Sequence, residues 1–266
     1  MLQKLAGYVL TPLHLLAFGL TLVIFHPIQW ICLKAGGYEW HKKSVDYLNF
    51  FLMQSLLLLG TRCRFRQEAP LPTDRPLIIV ANHQSLYDIP PIFWFFRRHH
   101  VKFVSKIELG RGIPSISFNL RHGGNVLIDR KNPRQALPAL KKFGQYIEQN
   151  RYAAVIFPEG TRSRNGIPKR FSPNGLKTLL KYIPSALIVP VTVNHSWKLT
   201  RYGKFPMAVG VQPTWTAHAP IDPKGRDVEE VLAETEQRIK AGIFIEKTDT
   251  TPTPQYPHSK AEDARG

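Results

Sequence analysis

The stretch Pro76–Pro91, "PLIIVANHQSLYDIPP", joins an aliphatic run to a polar cluster and then to two prolines. The run "PLIIVA" (76–81) has the length and residue types of a β-strand. Pro90 and Pro91 lack N–H groups, and a helix tolerates this best in its first turn, where those donors are unpaired. A helix is therefore predicted to begin near Asp88 or Ile89 and to run to Arg97. His83 and Asp88 lie between strand and helix, five residues apart. On one continuous helix, five residues rotate about 500° and leave two side chains roughly 140° apart. With His83 in the loop before the helix, the ring is free to fold back. Asp88 then accepts a hydrogen bond from Nδ1–H and leaves Nε2 as a base. The same residues also fit a plainer reading, with Asp88 as an N-cap and His83 as an exposed loop histidine. Ser85 is equally open, a helix cap or a substrate contact.

Working outward, the strand-then-helix rhythm repeats. Further aliphatic or β-branched runs occur at "VKFVS" (101–105), "NVLID" (125–129), "AAVIF" (153–157) and "ALIVPVTV" (186–193). Helix-length stretches fall between them at Pro133–Asn150 and Leu176–Tyr182. This alternation predicts an α/β fold with a largely parallel sheet flanked by helices. "MAVGVQPTWTAHA" (207–219) is expected to add edge strands, since Pro213 does not suit a central one. "DVEEVLAETEQRIKAG" (227–242) reads as a closing helix with Asp227 as N-cap and Glu230 as its capping-box partner. The tail from Glu246 is polar and proline-rich, a composition of disorder.

From Leu5 to Leu33 there is no acidic side chain, lysine or arginine, a run of 29 residues. A bilayer-spanning helix needs about 20 mostly apolar residues. A second apolar stretch, Tyr47–Gly60, follows a polar connector with Glu39, Lys42, Lys43 and Asp46, and "RCRFR" (62–66) comes next. The expectation is a membrane-embedded helical pair over residues 1–60, flanked by head-group-binding cations, with a soluble domain over 61–245 and a disordered tail over 246–266. Charge points the same way. The first 221 residues hold 29 basic and nine acidic side chains, a balance of +20, and the last 45 hold seven and ten, a balance of −3. A region this basic implies an anionic partner: a membrane, a phosphorylated substrate or nucleic acid. Basic residues are not interleaved with aromatics and no DNA-binding motif appears, so nucleic acid is the weaker choice. The two cysteines, Cys32 and Cys63, have no metal spacing and suggest no disulfide framework. The basic neighbours of Cys63 favour a lowered thiol pKa, yet no base-and-orienter pattern surrounds it.

In an open parallel sheet, ligands bind beyond the carboxyl ends of the strands. Four of the runs end in unusual polar groups: Asn82 to Asp88, Lys106, Arg130, and "PEGTR" (158–162). Parallel strands would gather these at one edge. Thr161, Arg162, Ser163 and Arg164 after a glycine suit a phosphate monoester, and equally a solvated basic hairpin.

"NHQSLYD", "GGNVLIDR", "FPEGTRS" and "IVPV", in this order and each around an apolar run, resemble the glycerolipid acyltransferase family, and within it the bacterial 1-acylglycerol-3-phosphate acyltransferases. The resemblance covers about residues 76–193. It implies His83 and Asp88 as the catalytic pair, with Arg130, Glu159, Gly160, Thr161 and Arg162 serving the phosphorylated acceptor. Pro190 matches the fourth block and Lys106 a lysine after the first; Asn82 and Ser85 join the substrate-binding set. One departure is "FSPNG" (171–175), where the family has Phe-Lys-x-Gly. The implied reaction moves a fatty acyl group from acyl-CoA or an acidic acyl carrier protein, as co-substrate, to lysophosphatidic acid in a membrane. No cofactor, metal or nucleic-acid partner is implied, and the setting is a bacterial inner membrane with the catalytic domain facing the cytoplasm. A lipid hydrolase or transacylase using the same His–Asp pair is the rival, and a basic membrane- or nucleic-acid-binding protein the alternative of another class.

Overall fold

The computed structural model describes residues 2–129 and 131–244. Arg130 and the tail expected to be disordered lie outside the described residues. The core is one seven-stranded sheet, ordered β1-β7-β6-β2-β5-β3-β4. Its strands are β1 (Arg64–Gln67), β2 (Leu77–Ala81), β3 (Lys102–Lys106), β4 (Val126–Ile128), β5 (Ala153–Ile156), β6 (Leu187–Asn194) and β7 (Thr214–Ala217). Every pairing is parallel except β6 with β7.

All residues of β2 and β5 are buried, as continuous aliphatic strands covered on both faces must be. Ile78 and Val80 pack on one face beneath α4 (Pro133–Asn150), α5 (Pro173–Tyr182) and α6 (Val228–Ala241). Leu77, Ile79 and Ala81 face the other way, onto α2 (Ile89–Phe95) and the N-terminal helix. The alternation is the period of two of a pleated strand. Asn132 and Asp227 cap α4 and α6 by accepting backbone N–H groups of the first turn.

Two expectations need correction. The predicted membrane pair is one long apolar helix, α1 (Leu2–Ser55), and the residues read as a polar connector are helical within it. A single residue, Gly37, leaves the helical region (φ 61, ψ −150), a conformation essentially confined to glycine. There the helix doubles back: His14 Nδ1 donates to the Ser55 carbonyl at 3.1 Å, and the rings of Phe25 and Phe51 lie 5.8 Å apart. The first arm leaves Leu13, Leu16, Leu20, Val23, Ile24 and Ile31 exposed. By length and composition α1 is apolar enough to cross a membrane, and this bare surface suggests membrane association.

Second, β7 is not an edge strand but lies between β1 and β6. It starts one residue after Pro213, whose carbonyl accepts from Arg64 N–H at 3.0 Å, so the proline withholds no donor from the ladder. The edge is β1, inside the "RCRFR" segment expected only to meet head groups. Phe65 packs inward while Arg64 and Arg66 stay exposed.

Lys102 opens β3 and is buried, its Nζ 4.7 Å from the Tyr38 ring centroid and 5.5 Å from that of Tyr152. Burial, with the nearby Lys42 charge, lowers its pKa to about 7, against the pull of Asp46 and Glu39. Between that value and the ordinary lysine range, the unfolded chain holds a proton the folded chain has released. Stability therefore rises with pH above 7, by at most about 1.4 kcal/mol per pH unit. Lys102→Met is expected to flatten that slope in thermal unfolding between pH 7 and 9 and to raise stability at pH 6. An unchanged slope would mean that the lysine keeps its charge in the fold.

Candidate functional site

Because β2, β5, β3 and β4 run parallel, their carboxyl ends share one edge, and the loops that follow β2 and β5 meet there. The chain leaves β2 through Asn82 and His83, then forms a short 3₁₀ turn, Leu86–Asp88, that leads into α2. Ser85 caps this turn, its Oγ accepting from Tyr87 N–H at 3.3 Å. The helix begins at Ile89, with both prolines in its first turn.

His83 folds back as the spacing requires. Its Nδ1 lies 2.8 Å from Asp88 Oδ2. The same oxygen accepts the backbone N–H groups of Gln84 at 2.7 Å and Ser85 at 2.9 Å. An oxygen that already accepts two backbone N–H groups accepts from the ring as well, so Nδ1 carries the proton and Nε2 presents its lone pair. Asp88 is fully buried, while the His83 side chain keeps 14% of its surface exposed. The imidazole stacks on Phe157, 4.1 Å between centroids, which holds the ring plane. Among the described residues, Nε2 has no hydrogen-bond partner. The pair is thus an oriented base with one open nitrogen.

The loop after β5 supports it from beneath. Gly160, at φ 67, lets the chain turn immediately after Phe157. Glu159 Oε1 accepts His83 N–H and Oε2 accepts Lys169 N–H, both at 2.7 Å. Burial raises the Glu159 pKa, and those two N–H groups oppose the rise. Ser163 N–H donates to the His83 carbonyl at 2.8 Å. The two loops are therefore stitched together by backbone groups of His83 itself.

The remaining predicted residues divide by exposure. Thr161, Arg162 and Lys106 are exposed at the same edge, where a bound anion would meet them. Asn82 is fully buried; its side chain takes Val193 N–H at 2.7 Å and gives to the Val193 carbonyl at 2.8 Å. Pro190 sits mid-strand in β6 opposite Val80, inside the core. The lowered thiol pKa expected for Cys63 from its basic neighbours is reversed, since burial pushes it up to about 12. No group of three or more His, Cys, Asp or Glu suited to a metal occurs among the described residues.

Sequence reasoning missed Gln84, Phe157 and Ser196 as parts of the site. Ser196 Oγ donates to Asp88 Oδ1 at 2.5 Å. The strand-end rule that found the other loops also applies to β6, which runs into Asn194, His195 and Ser196.

Comparison with known proteins places this geometry in context. The sequence model described as Acyltransferase matches residues 62–194, half of the chain. A 1-acyl-sn-glycerol-3-phosphate acyltransferase of Helicobacter pylori is 36% identical over 135 residues, 47% of this chain and 54% of that protein. The protein of that name from Pseudomonas aeruginosa is 26% identical over 213 residues, 79% of this chain and 78% of that one. The chain spans about half the length of the first curated relatives it matches. The crystal structure of the 1-acyl-sn-glycerophosphate (LPA) acyltransferase PlsC from Thermotoga maritima superposes with a TM-score of 0.74 at 25% identity, covering 90% of this chain and 95% of that one.

Proposed function

We propose that this chain, which belongs to the acyltransferase family, transfers a fatty acyl group from a thioester to the free sn-2 hydroxyl of lysophosphatidic acid. The product is phosphatidic acid, made for phospholipid synthesis. The observation that carries this reading is the His83–Asp88 pair at 2.8 Å with Nε2 open, in a loop hydrogen-bonded to the one that carries exposed Thr161 and Arg162. Nε2 removes the hydroxyl proton as the oxygen attacks the thioester carbonyl, and Asp88 stabilises the imidazolium that forms. The tetrahedral intermediate collapses, the carbon–sulfur bond breaks, and the departing thiolate takes the proton back from Nε2. The enzyme supplies no nucleophile of its own. Arg162, with Lys106 and Arg130, holds the phosphate, so that remote binding places the hydroxyl for attack.

The donor is acyl-CoA or an acidic acyl carrier protein, both of which suit the +20 balance of the first 221 residues. The apolar arm of α1 keeps lysolipid and product in lipid at the cytoplasmic face of a bacterial inner membrane. The names of the bacterial relatives support the acceptor.

The test is release of thiol from acyl-CoA with and without lysophosphatidate. Release is expected to depend on the acceptor and to match phosphatidate formed mole for mole; equal release without acceptor would make the chain a thioesterase. Arg162→Ala is expected to raise the KM for lysophosphatidate about tenfold or more, the worth of a charge-assisted hydrogen bond to phosphate, with kcat within about threefold. A collapsed kcat at unchanged KM would remove Arg162 from phosphate binding.

A further inference from the structure

The carboxylate of Asp88 is gripped from two sides, and only one of them belongs to the loop that carries His83. Oδ2 takes its three donors from His83, Gln84 and Ser85, all within that loop. Oδ1 takes Ser196 Oγ, which starts the short 3₁₀ turn Ser196–Thr200 directly after β6, 108 residues along the chain. Both side chains are fully buried, with no exposed surface. The direction of this bond is set by its surroundings. Gln84 Nε2 donates to the Gly166 carbonyl at 3.2 Å, which leaves Gln84 Oε1 facing Ser196 Oγ at 3.4 Å. The hydroxyl thus has two acceptors before it, a carboxylate at 2.5 Å and an amide oxygen at 3.4 Å. Its single proton goes to the nearer, charged one.

The geometry points to Ser196 as a positioning residue for acyl transfer, holding the Asp88 carboxylate in the plane where Oδ2 meets His83 Nδ1–H and drawing off part of its charge. This rests on the reading of His83 as the base. A carboxylate anchored through both oxygens cannot turn about its Cβ–Cγ bond. Without the hydroxyl, Oδ1 is a buried acceptor with no donor, and the plane of the group is held from one side only. The charge argument gives a sign. With one donor fewer, more negative charge faces the imidazole, so the imidazolium is favoured and the base is lost to protonation at a higher pH.

Ser196→Ala, Ser196→Thr and His83→Ala separate these effects in the full-length protein. In Ser196→Ala, kcat is expected to fall roughly 10- to 100-fold, the worth of one charge-assisted hydrogen bond, with the KM for lysophosphatidate within about twofold. The acid limb of the pH profile of kcat/KM should move to higher pH, and threonine, which keeps the hydroxyl, should restore kcat to within about threefold of wild type. A kcat within twofold of wild type in the alanine variant, or a loss with an unmoved acid limb and no rescue by threonine, overturns the proposal; the side chain then only fills space. A second readout needs no substrate: the low-field proton resonance of His83 Nδ1–H, identified by its loss in His83→Ala. It should shift in Ser196→Ala, and an unshifted resonance overturns the role of Ser196 whatever lipid the enzyme takes. A shifted resonance in a protein that transfers nothing to lysophosphatidate upholds Ser196 and counts against the substrate assignment alone.

Discussion

His83→Ala is expected to lower acyl transfer by about 10²- to 10⁴-fold, the usual contribution of a general base, and to leave the protein folded. Among the described residues two other ionisable groups meet His83, and neither is free to act as the base. Asp88 is fully buried and already takes four donors on its two oxygens, and both oxygens of Glu159 are spent on backbone N–H groups. The fold should survive because the ring is partly exposed, and the backbone bonds to Glu159 and Ser163 that hold the loop do not use the side chain. Thiol release in the presence of lysophosphatidate measures the loss, and thermal unfolding checks the fold. Near-normal turnover in a folded variant would remove His83 from the reaction and leave the pair a loop ornament.

How much of this was legible before the fold was seen depends on what each feature needs. β2 and β5 are uninterrupted aliphatic runs, and burial on both faces is written in them. α4 was read as a helix-length stretch from Pro133 to Asn150, the bounds it has in the fold, while its Asn132 cap was not. β1 was hidden because Arg64 and Arg66 dominate the outward face of a four-residue strand, and only Phe65 records that it has an inner one. The seven-residue helix α3 (Ile116–His122) is too short for a helical period to show. The reversal of α1 depends on one glycine, and the charged residues around it read as a break when they are helical. Pro213 was interpreted by a sound rule applied to too long a span.

The site divides along the same line. His83 and Asp88 are neighbours in the chain, and Pro90 and Pro91 fix where the helix starts, so the sequence alone constrains their approach. Ser196 meets Asp88 only because β6 and β2 are adjacent and parallel, a fact of topology that no local pattern contains. Glu159 shows the limit of a motif: it lies in the block associated with the phosphorylated acceptor, yet both its oxygens are spent on backbone N–H groups. A motif marks residues that act together and does not say which touch substrate.

Asn82 puts that distinction to an experiment with a large expected effect. Asn82→Leu is expected to destabilise the fold by about 2–6 kcal/mol, since it leaves two buried backbone groups unpaired at about 1–3 kcal/mol each. Those groups are the N–H and C=O of Val193, which the amide of Asn82 now satisfies at 2.7 and 2.8 Å. Leucine has the volume for the space but neither donor nor acceptor, so packing cannot offset the loss. For a domain of this size the shift in Tm is about 2–4 °C for each kcal/mol. A drop of roughly 5–20 °C in thermal unfolding is therefore expected, or failure to accumulate as folded protein. Asn82→Asp sharpens the test, because a carboxylate keeps an acceptor for Val193 N–H but sets a second oxygen against the Val193 carbonyl. It should be destabilised as well, and more at neutral pH than at pH 4, where protonation supplies the missing donor. If Asn82 instead bound the acceptor, Asn82→Leu would raise the KM for lysophosphatidate with the Tm unchanged. That outcome would return the residue to the substrate and leave the tie between the end of β2 and β6 without a structural role.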